Sequence, residues 1–67
     1  MKFQKVENGE TTIITVNKNS MIVNRKVYSN EDACLISNQN MDYSHYNNYN
    51  STKDILSELK RKQYKQI

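Results

Sequence analysis

Proline and tryptophan are absent from this chain, and glycine and cysteine occur once each. Without proline there is no proline-rich linker to divide sixty-seven residues, so a single small domain over 1–67 is expected. One glycine cannot build a glycine-rich phosphate loop, and no catalytic, metal or cofactor motif stands out. The lone Cys34 cannot form an internal disulfide, which points to the reducing cytoplasm. A free cysteine of this kind is expected to be a small buried hydrophobe. Long apolar runs are missing too: the longest is Ala33–Ile36, far short of a membrane span. The start, Met1–Lys5, lacks the apolar stretch of a signal peptide. A soluble protein with no membrane contact is therefore expected.

Apolar residues make up only 36% of the chain, so the core is thin. At this size the expected stability is on the order of 3–10 kcal/mol. An enclosed catalytic cleft is hard to build from so little, whereas a partner or a second copy (a homodimer) could complete the core. His45 has only Asp42 near it at a ligand-like spacing, below what a metal site needs. Cys34 and His45 lack the orienting third group of a nucleophilic site. No enzyme and no cofactor are expected.

What the chain does contain is a hairpin signal. Asn8-Gly9 suits a type I′ turn, which needs positive φ at both central residues. Zipping back from it sets Val6 opposite Thr11, Gln4 opposite Ile13, Phe3 opposite Ile14 and Met1 opposite Val16. A second turn at Lys18-Asn19 would set Val16 opposite Met21 and Ile14 opposite Val23. Both pairings place Met1, Phe3, Ile14, Val16, Met21 and Val23 on one face. The expectation is an α+β fold that begins with a three-stranded antiparallel meander, over about 2–7, 10–17 and 20–28.

Ser29-Asn30-Glu31-Asp32 carries a capping box, with two acids on the positive end of a helix dipole. It predicts a short helix over about 30–38. Its rival is a fourth strand through Ala33–Ser37 after a turn at Asn30–Asp32. The same device at Ser51–Asp54 precedes Ile55, Leu56 and Leu59 and predicts a C-terminal helix over about 52–66. Between them, residues 38–50 form an Asn/Tyr-rich loop, since Asn favours neither helix interiors nor strands.

Charge is segregated along the chain. Residues 1–30 balance to +3, residues 31–50 to −3 and residues 51–67 to +3. The acidic middle holds Tyr43, Tyr46 and Tyr49, and tyrosine gives large amphipathic contact area at low entropy cost. Tyr43, Tyr46, Tyr49, Asp42, Glu31 and Asp32 are thus the candidate partner-binding set. The basic ends offer a second set, Arg25, Lys26, Lys60, Arg61, Lys62 and Lys65, as candidate nucleic-acid contacts.

Three strands followed by Ser29-Asn30-Glu31-Asp32-Ala33 make the element order similar to the arm-type DNA-binding domains of phage and transposon integrases. That resemblance, over about residues 10–36, implies DNA contact through the sheet, by Arg25, Lys26 and Thr12. The abundance of Asn, Lys, Ile and Tyr, which AT-rich codons specify, points to a low-GC bacterium, its phages or mobile elements. Together these features favour a small non-enzymatic interaction protein, a phage- or element-encoded modulator or inhibitor of a larger host protein. The alternative is a small basic nucleic-acid-binding module using strand three and the C-terminal helix.

Overall fold

Asn8 and Gly9 adopt φ of 54° and 76°, the pair of positive values that a type I′ turn requires. In this computed structural model, which describes residues 1–67, they join β1 (Lys2–Glu7) to β2 (Glu10–Val16). The register is the expected one, with Val6 opposite Thr11, Gln4 opposite Ile13 and Phe3 opposite Ile14. Val16 donates its N–H to the Met1 carbonyl at 2.8 Å, which extends the pairing to the first residue.

The second hairpin differs from expectation by two residues. β3 runs Ile22–Ser29, and Val16 faces Val23 while Ile14 faces Arg25. The two-residue turn at Lys18-Asn19 is replaced by a wider loop, in which the Asn17 carboxamide accepts the Asn19 N–H at 2.8 Å. Such a side-chain bond substitutes for a backbone turn. An even slip preserves parity, so the expected apolar face survives.

The helix expected over 30–38 does not form; the rival strand does. β4 (Leu35–Asp42) pairs antiparallel with β3 from Ile22↔Asp42 to Tyr28↔Leu35, with a bulge at its start. The Ser29–Asp32 signature closes a hairpin instead of capping a helix. The Asp32 carboxylate accepts the Cys34 N–H at 3.1 Å, and Ser29 donates its N–H to the Cys34 carbonyl at 2.9 Å. Ser37, Asn38 and Asn40 are weak helix formers, and a full ladder along β3 outweighs one cap. With a fourth strand where a helix was expected, the likeness to the integrase arm-binding order does not carry over. Cys34 is exposed in this turn and not buried.

The expected loop shrinks accordingly. Residues 38–42 belong to β4, and Tyr43–His45 form a 3₁₀ turn. The helix α1 spans Thr52–Arg61, not 52–66. Its start is as read: the Asp54 carboxylate accepts backbone N–H groups of Asn50 and Ser51 at 2.8 and 3.2 Å. Its end is a Schellman motif, with Tyr64 N–H bonded to Leu59 O and Gln63 N–H to Lys60 O. Gln63 takes φ 69° to make the turn. The chain then forms β5 (Lys65–Gln66), which pairs with the free edge of β1.

The result is a five-stranded antiparallel sheet of order β4-β3-β2-β1-β5 with one helix on one face. Ile55 and Leu59 of α1 close over Ile14, Val16 and Val23, the whole of the main buried cluster. No helix is long and apolar enough to cross a membrane.

Ala33 (φ 58°) and Gln63 hold left-handed conformations that side chains resist. Ala33→Gly and Gln63→Gly are each expected to stabilise the fold by about 1 kcal/mol. Chemical denaturation measures this as a higher midpoint; a lower one at both sites would contradict the two turns.

Candidate functional site

The three tyrosines come together. Ring centroids of Tyr43 and Tyr46 lie 5.2 Å apart, and those of Tyr43 and Tyr49 lie 4.7 Å apart. Asp42 positions them: its carboxylate accepts the Ser44 N–H at 2.9 Å and the Ser44 hydroxyl at 2.6 Å, capping the 3₁₀ turn. Those hydrogen bonds hold its carboxyl below the ordinary carboxylate range. Tyr43 then donates its N–H to the Met21 carbonyl at 3.0 Å, tying the turn to the sheet.

The rings do not share one role. Tyr43 and Tyr49 pack against the core, and burial raises the Tyr43 phenol above its ordinary value. Tyr46 is 55% exposed. Beneath the rings, a cavity of about 170 Å³ runs between α1 and the sheet, with Arg25, Glu58 and Lys62 among its lining. It is smaller than the roughly 300–1,000 Å³ of ordinary ligand sites.

The acidic members of the expected set are split. Glu31 and Asp32 sit in the β3–β4 turn, and Asp42 lies at the far end of β4. The length of β4 separates them, roughly 25 Å at about 3.3 Å per residue. The same strand separates Cys34 from His45, whose Nε2 lies 3.6 Å from the Asp42 carboxylate in open solvent.

The expected basic set is split as well. Arg25 and Lys26 are neighbours in β3 and so point to opposite faces. Arg25 lies on the helix side, and so does Thr12, which pairs with Val27. Arg61 and Lys62 both bond Glu58, which cancels part of their charge, and Lys60 is exposed on the helix.

Lys26 belongs to a different surface, the sheet face opposite the helix. Register and alternation bring Lys2, Lys26 and Lys65 onto it, with Thr11, Thr15, Asn24, Asn38 and Asn40 between them. The only strand carboxylate on that side is Asp42, at one corner and turned into its own cap. The same face carries Val6 (59% exposed), Ile22 (50%) and Leu35 (51%), with Ile36 (54%) at the bulge. Tyr28 lies in the row that joins Val6, through Thr11, to Leu35.

The sequence held a signal for this face. Val6, Ile13, Ile22 and Tyr28 occupy the positions that the core pattern leaves outward, where a merely solvated sheet would carry polar residues. Comparison with protein-family models, with curated proteins and with solved structures finds no match for this chain.

Proposed function

We propose that this is a small non-enzymatic binding protein that docks its open sheet face onto a larger protein, as a phage- or element-encoded modulator would. One observation carries the reading. Val6, Leu35 and Ile36, each more than half exposed, line one end of that face beside Tyr28, with Ile22 at the other end, and the face carries three lysines against one carboxylate, the capping Asp42. Exposed aliphatics grouped in this way mark contact surfaces. The lysines select a partner patch that is acidic as well as apolar, because charge complementarity sets orientation and rejects wrong partners. Phosphate recognition would use the lysines and leave Val6, Ile22, Leu35 and Ile36 without a role. The tyrosine cluster then serves mainly to brace the sheet, with Tyr46 at its outer edge.

The test is affinity capture from a low-GC bacterial lysate, with and without nuclease, using wild type, Leu35→Asp, Lys26→Glu and Tyr46→Ala. Capture of one acidic protein that survives nuclease is expected. Each of the first two variants should weaken it by about tenfold or more, with little change for Tyr46→Ala. Retention that nuclease abolishes, and that falls steeply with salt, would favour the nucleic-acid module built on the same lysines. Capture indifferent to Leu35→Asp and Lys26→Glu would overturn the assignment of this face.

A further inference from the structure

The two margins of the sheet are unlike. β5 is two residues long, while β4 is an eight-residue edge with no strand beyond it. Natural edges of that length usually carry lysine, proline or inward charge to prevent pairing. From Leu35 to Met41, β4 has no charged residue and no proline, and its one bulge lies at its first residues.

The Tyr43 N–H bonds to the Met21 carbonyl, so residues 43, 41, 39 and 37 direct their backbone groups toward β3. Asn38, Asn40 and Asp42 therefore direct theirs away from the sheet. Asn24 Nδ2 donates to Asn38 Oδ1 at 2.8 Å and to Asn40 Oδ1 at 3.1 Å. That bifurcated contact fixes both carboxamides and leaves their own NH₂ groups without an acceptor in the chain. Each amide also keeps a second lone pair on its oxygen.

We propose that β4 pairs antiparallel with β4 of a second copy, about a two-fold axis through Gln39. Asn38 then faces Asn40 of the partner subunit, and the amide ladder begun at Asn24 continues across the axis. The occupant is a second copy because the edge is complementary to itself. Its amides both donate and accept, and the strand meets its own image without like-charge repulsion, because its one charge, Asp42, falls opposite Ile36 of the partner subunit. An axis at Gln39 keeps residues 36–42 paired, which includes the whole regular part of the strand. It also places both helices on one side and joins the two open faces into one continuous surface. This inference rests on the edge and not on the identity of any partner.

Sedimentation equilibrium on the full chain tests it. A dimer is expected, with an unfolding midpoint that rises with protein concentration. Gln39→Glu separates edge pairing from folding. In its own chain the new carboxylate faces Arg25, its register partner, which is favourable. Across the axis it faces its own copy, and like charges directly opposite are unfavourable. Dimer affinity at neutral pH should fall by about tenfold or more and recover in acid. Gln39→Cys in a Cys34→Ser background should cross-link on mild oxidation, because directly opposed positions in a non-hydrogen-bonded pair have Cα atoms about 4.5 Å apart. A chain that stays monomeric at millimolar concentration would overturn the proposal. So would a dimer indifferent to Gln39→Glu and not cross-linked through Gln39→Cys.

Discussion

Ile14→Ala is expected to remove about 2–5 kcal/mol, enough to bring the protein to the edge of unfolding. Ile14 is 3% exposed and stands at the centre of β2, with Phe3 on one side and Arg25 on the other. Ile55 and Leu59 close over it from the helix. Only five residues are fully buried in this cluster, so the loss of one large side chain removes a sizeable share of the core. Thr15, one residue on, points to the open face and pairs with Lys2 and Asn24. Thr15→Ala should therefore cost well under about 1 kcal/mol. Urea denaturation of both variants checks the prediction, and equal midpoints would contradict the register.

The second large effect separates the tyrosines. Tyr43→Ala is expected to cost about 2–4 kcal/mol, since its ring packs on the core and touches both other rings. Tyr46→Ala should cost less than about 1 kcal/mol, because that ring is more than half exposed. Thermal unfolding followed by circular dichroism distinguishes them. Equal losses would mean that the 3₁₀ turn and the core form one unit that includes the outer ring.

Local signals in the sequence translated into structure where the chain answers to itself. Asn8-Gly9 sets its own register, and Ser51–Asp54 starts α1 where it should, because both depend on residues within a few positions. The readings that failed depended on distant partners. Ser29–Asp32 suits a helix cap, but β3 offered a strand ladder over residues 35–42, and nothing within the segment announces that competition. The end of α1 was misplaced for a like reason: residues 65–66 pair with β1, sixty positions earlier in the chain. The candidate site suffered most. The sequence singled out Tyr43, Tyr46 and Tyr49 together but could not tell the two rings that pack on the core from the exposed one. Lys26 was noticed for its charge, while the aliphatic side chains beside it became visible only once β4 completed the face.

The placement of α1 has a consequence for motion. The helix covers only the end of the sheet near Val16, Val23 and Met41, while the opposite end, at the Asn8-Gly9 and Asn30–Ala33 turns, has only Val27 buried. Amide protection in hydrogen exchange should therefore decline along each strand away from the helix, since opening is easiest where few apolar contacts must break. Val6, Tyr28, Leu35 and Ile36 sit at that looser end. The row proposed for contact is thus carried by the backbone freest to adjust its twist, and a partner seated there would slow exchange in a part of the sheet that the helix never reaches.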